Sequence, residues 1–331
     1  MASSTLCRRE ILACLGALTA AYPLGAQAQA SKPPVRIGIL PLGSSSNDYD
    51  RSLVEAFRKG LLQSGLVEQR DFVLDVAWTT AQPEQALAEL MQRGAQILVP
   101  CGTSASLAAK RGATDVPIVF VSVGNPLGIG LVESLSRPGG NLTGFSDILA
   151  DLGGKLVEVA RELNRSQPVF DYLWHTGWGD AQHRLRVTET AAREMGVSLR
   201  LWGVAESAEI GEAMAAVQAS GANTLIVQPS PFTYGQRDLI IKSALAYRLA
   251  AIFAFPAAAR EGALIAYGPD YVHMYRRAPF YVERILKGTK PGDLPVEQPS
   301  KVELVVNLQT SKALGLEVPL PLLIRADELV E

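Results

Sequence analysis

The chain has 331 residues, with 31 Lys and Arg against 33 Asp and Glu, giving a formal net charge of -2 at pH 7. Charged residues make up 19% and hydrophobic residues 48%, and this near-neutral balance excludes the electrostatic footprint of a nucleic-acid binder or of a protein drawn to an anionic membrane. The length is ample for a buried core and for two domains.

In the first thirty residues, Arg8-Arg9-Glu10 precedes an apolar run from Ile11 to Leu24 and then Ala26-Gln27-Ala28-Gln29-Ala30. A basic start, a modest apolar stretch and small residues at alternate positions predict an export signal over 1–30, cleaved after Ala28 or Ala30, and hence a periplasmic location. Cys7-Arg8-Arg9-Glu10-Ile11-Leu12 approximates a twin-arginine pattern, so export in the folded or the unfolded state both stay open. Gly16, Thr19 and Pro23 interrupt the run, which falls short of the roughly 20 apolar residues of a span, so stable membrane insertion is not expected. Cys7 and Cys14 leave with the signal, and Cys101 has no partner for a disulfide. Removing Arg8, Arg9 and Glu10 leaves 29 basic and 32 acidic side chains. His175, His183 and His273 are not spaced as metal ligands, and neither a metal nor another cofactor is expected.

From Val35 onward, short β-rich runs alternate with amphipathic segments, the pattern of a parallel sheet covered on both faces. Val35–Leu40 reads as a buried strand, and a helix from about Asp50 to Ser64 puts Leu53, Val54, Phe57, Leu61 and Leu62 on one face before Gly65 ends it. Strands follow at Phe72–Trp78, Ile97–Pro100 and Pro117–Val121, separated by helices at Pro83–Arg93 and Ser104–Arg111. After the turn-rich Arg137-Pro138-Gly139-Gly140-Asn141, the alternation restarts. Helices are expected near Leu149–Leu163, Gln182–Met195, Ile210–Ala219 and Gln236–Leu249. Strands are expected at Phe170–Trp174, Ser198–Trp202, Thr224–Gln228 and Ile252–Phe255.

The tail adds a strand at Ala263–Tyr267, a helix at Tyr271–Leu286, an extended stretch at Pro291–Pro299 and a strand at Lys301–Val306. This unit is too small to bury its own faces, so it is expected to complete both halves, with the chain crossing between them three times. The expected fold is α/β, with two doubly wound parallel-sheet lobes joined by a multi-strand hinge. The first lobe is assigned 35–145 plus 258–295, and the second 146–257 plus 296–331.

Ligands of open parallel sheets bind beyond the carboxyl ends of strands. Those ends carry Gly43 to Asn47, Cys101 to Ser104, Ser122 to Pro126, Gly177 to Asp180, Pro229 to Phe232, Phe255-Pro256 and Gly268 to Asp270, and the segment crossing between the halves supplies Thr143 to Ser146. The same residue types serve turns and helix caps. Trp178, Phe232 and Phe255 lie at or just past strand ends, where apolar walls with a few polar anchors make a small-molecule pocket. The start of a helix at Thr103-Ser104 favours an anion. No nucleophile elbow, phosphate-binding loop or dinucleotide fingerprint occurs. Cys101 precedes a helix start that could lower its pKa, but no sequence-evident base accompanies it, and a non-enzymatic protein is expected.

Arg137-Pro138-Gly139-Gly140-Asn141-Leu142-Thr143-Gly144, the segment Arg284-Ile285-Leu286-Lys287-Gly288 with Asp293 to Pro299, and Val306-Asn307-Leu308 through Lys312-Ala313-Leu314-Gly315-Leu316 carry a resemblance. They resemble the ABC-transporter substrate-binding protein family that includes tryptophan- and tyrosine-binding members. The resemblance runs essentially end to end. It implies a type I periplasmic binding-protein fold, a ligand clasped between two lobes, and delivery to an inner-membrane ABC permease. By position, the family's cleft loops correspond to Ser45-Ser46, Thr103-Ser104, Asn125, Thr143 to Phe145, Ser230 to Phe232 and Asp270. Many relatives carry Gly-Asp-Pro where this chain has Gly124-Asn125-Pro126, so a neutral amide replaces a carboxylate suited to an ammonium. Asp270 is then the carboxylate expected to meet an ammonium.

The expected function is a monomeric periplasmic solute receptor of an ABC importer, closing on a small metabolite, with an amino acid or an aromatic or carboxylic acid favoured. The rivals are a ligand-sensing domain for a membrane signalling partner and an exported enzyme on the same scaffold.

Overall fold

The computed structural model describes residues 33–78, 82–148, 152–177, 181–221, 223–299 and 301–331. The expected export signal at 1–30 and Trp178 lie outside the described residues.

The first sheet contains β1 (Val35–Leu40), β2 (Phe72–Val76), β3 (Ile97–Pro100), β4 (Ile118–Gly124) and β5 (Leu142–Asp147) in the order β2-β1-β3-β4-β5. Every neighbouring pair is parallel. β3, β4 and β5 are buried along their whole lengths, as expected of strands covered on both faces. Helices α1 (Asp48–Gln63), α2 (Pro83–Gln92) and α3 (Thr103–Gly112) connect them. Asn47 caps α1 by accepting from the Asp50 amide, and Asp48 and Asp50 place negative charge in its first turn. Leu53, Val54, Phe57 and Leu61 form its buried stripe.

The second sheet has the order β12-β11-β10-β9-β8-β6-β7. Its strands are β6 (Val169–His175), β7 (Ser198–Val204), β8 (Thr224–Val227), β9 (Ala250–Phe253), β10 (Ile265–Pro269), β11 (Val302–Asn307) and β12 (Glu328–Val330). Among the described residues, β10–β11 is the one antiparallel pairing of this sheet. Helices α4 (Leu152–Leu163), α5 (Ala181–Glu194), α6 (Ile210–Ala219), α7 (Pro231–Gly235), α8 (Arg237–Ala246) and α9 (Pro256–Arg260) belong to this lobe.

The chain passes between the lobes three times: after β5, after β10, and between Glu297 and β11. The single helix expected over Tyr271–Leu286 is two, α10 (Tyr271–Arg277) and α11 (Pro279–Leu286), because Pro279 supplies no N–H and obstructs the turn before it. Both pack on α1. Gly60 makes this possible, since a Cβ there would stand 2.3 Å from the Arg276 carbonyl oxygen.

The extended stretch beyond α11 lies along β5. Thr143 donates to the Leu294 carbonyl at 2.8 Å, and Glu297 takes two backbone hydrogen bonds with Gly144 and Ser146 at 3.0 and 2.9 Å. Of residues 258–295, assigned from sequence to the first lobe, α9 and β10 therefore join the second sheet's lobe, while α10 and α11 pack on α1 of the first. Thr143 to Ser146, read from sequence as a crossing segment, form most of strand β5. Two further short helices, α12 (Leu308–Leu314) and α13 (Leu320–Arg325), and β12 complete the second lobe beyond the tail elements expected.

Candidate functional site

The carboxyl ends of both sheets face one another across a cleft. A chamber of about 460 Å3 lies between Leu42 to Ser44, Ser46, Asn47 and Cys101 to Ala105 of the first lobe and His175, Pro231, Phe232 and Gln236 of the second. The first turn of α3 forms part of this wall. Gly102, with φ +82°, precedes it without a side-chain cap, so unsatisfied helix N–H groups and the positive dipole end favour negative charge there. Opposite, Phe232 stacks on His175 with ring centroids 4.4 Å apart and planes at 12°. Burial holds the His175 imidazole below its usual pKa, which favours its neutral form in the stack, while Arg237 and Asp238 bring charge to the same side of the chamber.

Thr103 and Pro231 also line a constriction of about 20 Å3 that continues inward to Ser122, Gly124, Asp147, Arg184, Ser230, Phe255 and Tyr271. Asp147 from β5 and Arg184 from α5 converge there from opposite lobes. A Cβ on Gly124 would stand 2.5 Å from an Arg184 guanidinium nitrogen and 3.2 Å from an Asp147 oxygen, so glycine is what admits them. Ser122 donates to Asp147 at 3.1 Å.

The turn that carries these groups is strained, with Ser122 at φ +58° and Asn125 at φ +47°. Such strain concentrates at ligand sites. Asn125 holds the turn by accepting from the Gly128 amide at 2.9 Å. Tyr271 is buried, and its hydroxyl finds no hydrogen-bond partner of ordinary geometry among the described residues. Burial, reinforced by the Asp147 carboxylate, keeps this phenol protonated. Beyond Asp147 and Arg184, a third space of about 260 Å3 opens, lined by Asn125, Ser146, His183 and Gln298.

A second cluster joins the lobes at the chamber's edge. Asp50 accepts from the Tyr234 hydroxyl at 2.6 Å and from Arg237 at 3.1 Å. Arg237 is clamped in turn by Glu261 at 2.7 and 3.1 Å.

Of the residues selected from sequence, Ser46, Thr103, Ser104 and Phe232 line the large chamber, Thr103, Ser230 and Phe255 the constriction, and Asn125 the third space. Four are placed elsewhere. Ser45 is exposed and its carbonyl accepts from Arg51. Thr143 is spent on Leu294. Phe145 packs edge-on against Tyr281 at 5.4 Å. Asp270 caps α10 through the His273 amide at 2.9 Å and lies 3.8 Å from Lys301.

Sequence reasoning placed Ser122 in a strand-end loop but passed over Asp147, Arg184 and Tyr271. Asp147 ends β5, a strand that the sequence pattern does not announce, so the strand-end rule could not reach it. Arg184 was out of reach too, because a charged residue in a helix among polar neighbours reads as a solvated face.

Cys101 lies on the chamber wall but is fully enclosed, and burial pushes its thiol up to about 12. Burial therefore overrides the lowering expected of the adjacent helix start. Residues 31–331, whose one cysteine is Cys101, should not react with iodoacetamide at pH 8 when folded and should become reactive only in denaturant. Stoichiometric labelling of the native protein would contradict the burial. Among the described residues, no group of three or more His, Cys, Asp or Glu side chains converges as metal ligands would, and no helix is long and apolar enough to cross a membrane.

Two α/β lobes with a ligand-sized chamber between their strand ends make the type I periplasmic binding-protein architecture. The chain belongs to the ABC transporter substrate binding protein family, whose sequence profile it matches over residues 46–330. It is 24% identical over 221 residues to a tyrosine-binding protein of Clostridioides difficile strain R20291, which covers 67% of this chain and 63% of that relative's length. The fold is similar to the ABC domain from Streptococcus pneumonia in complex with L-Trp, with TM-score 0.80 and 20% identity over 90% of this chain and 100% of that one. A conserved domain protein from Vibrio cholerae is likewise similar, with TM-score 0.79 and 22% identity over 89% and 99% of the two chains.

Proposed function

We propose that this chain is the periplasmic receptor of an ABC importer, exported by its first thirty residues, which clasps an amino acid or aromatic carboxylic acid and presents it to an inner-membrane permease as a monomer. The observation that carries this reading is the large chamber, with a helix start suited to a carboxylate on one lobe and the Phe232–His175 stack suited to an aromatic or apolar group on the other. The names of the relatives, one tyrosine-binding and one solved with L-Trp, point the same way. In this reading the ligand's ammonium group meets the Asp147 carboxylate, which shares the constriction with Arg184. Asn125 is occupied in its own turn, and Asp270 is a helix cap. Ligand contacts to both lobes would favour the closed arrangement by differential binding.

The test is a thermal-shift screen of residues 31–331, unfolded and refolded to strip carried-over ligand, against amino acids, aromatic carboxylates, nucleosides and small amides. A ligand at a hundred times its dissociation constant adds about 2.7 kcal/mol of stability, so a hit is plain. Hits among amino acids or aromatic acids support the reading. Hits confined to nucleosides or amides, or silence with a folded protein, would overturn the ligand class.

A further inference from the structure

The Asp50 cluster does more than decorate the chamber's edge. Asp50 is 1% exposed and Arg237 3% exposed, so both charges have left water. Asp50 belongs to α1 of the first lobe, while Tyr234 and Arg237 belong to α7 and α8 of the second. One Asp50 oxygen takes both cross-lobe donors, at 2.6 and 3.1 Å. The other takes the Ser44 amide of its own lobe at 2.8 Å. A third cross-lobe bond runs from the Asn47 side chain to Glu261 at 3.2 Å.

The receiving side is already rigid. Arg237 is forked onto Glu261, donates to the Tyr234 carbonyl at 3.0 Å, and lies over the Tyr234 ring with its central carbon 4.4 Å from the centroid. A guanidinium held in place gives up little freedom when a carboxylate arrives. The first-lobe side is shaped for the same contact. Gly43 has φ +94°, and a Cβ on it would fall 2.1 Å from an Asp50 oxygen, so its loop wraps directly around that carboxylate. Ser44, Ser46 and Asn47 of this loop also line the large chamber.

We infer that Asp50 with Tyr234, Arg237 and Glu261 forms a latch that holds the two lobes together through the protein's own side chains. The closed arrangement is thereby populated before any ligand arrives, and the 43–47 loop is ordered as a chamber wall by the same contact. The inference rests on the reading that the lobes open and close. It is independent of the ligand's identity.

The experiment uses residues 31–331, refolded free of ligand, as wild type and as Asp50→Asn and Tyr234→Phe. Small-angle scattering reads the spread of the lobes, and hydrogen–deuterium exchange reads residues 43–50 and 231–238. Removing one hydrogen bond to a buried charge should raise the open-to-closed ratio about tenfold. The wild type is expected to scatter as the compact form, both variants to show a larger radius of gyration, and exchange in the two segments to accelerate by a similar factor. Asp50→Asn keeps the shape of the side chain. Should it fail to give a cooperative melt, Tyr234→Phe, which deletes one hydroxyl, decides the question. A wild type as expanded as the variants would overturn the latch, as would variants as compact and as slowly exchanging as the wild type. Because no ligand is added, failure of the ligand screen leaves this outcome readable.

Discussion

Gly144→Ala is expected to destabilise the first lobe severely. Gly144 stands opposite Phe120 in the β4–β5 register, at φ +145°, and a Cβ there would lie 1.9 Å from the Phe120 carbonyl oxygen and 2.7 Å from its nitrogen. Those neighbours are backbone atoms of a buried central strand, which cannot swing aside as a side-chain tip can. Relief requires β5 to move away from β4, breaking the ladder and the hydrogen bond from Glu297 to the Gly144 carbonyl. Overpacking, lost ladder bonds and an unfavourable backbone angle together are expected to cost roughly 3–5 kcal/mol. That is a large share of the ~5–15 kcal/mol that holds a typical domain folded. Urea unfolding followed by circular dichroism measures the loss as a lowered midpoint. A midpoint equal to the wild type's would mean that the two strands have room to spare.

Phe232→Ala should remove most ligand affinity while leaving the fold intact. The ring is only partly buried, sits at the start of α7 and makes its main contact with His175, so its loss opens the chamber without excavating the core. Burying a phenylalanine-sized surface contributes about 1.5–3 kcal/mol, equivalent to roughly a 10- to 100-fold rise in dissociation constant. Titration calorimetry with the tightest ligand from the screen measures it. Water entering beside His175 would relieve the burial that depresses its pKa, so the variant's affinity should gain a pH dependence near neutrality that the wild type lacks. Equal affinities in variant and wild type would place the ligand's apolar part elsewhere.

The architecture was legible in the chain because buried parallel strands write themselves as continuous apolar runs, and Val35–Leu40, Ile97–Pro100 and Thr224–Val227 fall where those runs lie. β5 was harder to read. Leu142-Thr143-Gly144-Phe145-Ser146-Asp147 carries the polar and glycine residues of a turn, and it is a strand because its polar groups are satisfied by Leu294 and Ser122. The split at Pro279 could have been foreseen, whereas the placement of β10 in the second sheet could not, since strand order depends on which partner is available. For the candidate site, the strand-end rule located the loops but not the roles within them. Asn125 and Asp270 look like ligand contacts in sequence and serve as a turn and a cap. Asp50 and Arg237 look like ordinary surface charges on helices, and only the approach of two distant segments brings them together inside the protein.

Because residues 271–297 complete the first lobe from the far end of the chain, that lobe cannot finish folding as it is synthesised. Its early segment, through β5, emerges with the apolar face of α1 bare and the outer side of β5 unpaired, and it waits for almost the whole chain before α10, α11 and the Leu294 to Glu297 strand arrive. Neither lobe corresponds to one contiguous stretch of sequence, so no single cut would release a self-sufficient half. The same threading gives the polypeptide a long interval in which it has no finished domain, and a chain in that condition is still loose enough to be drawn through a narrow channel or taken up by a chaperone.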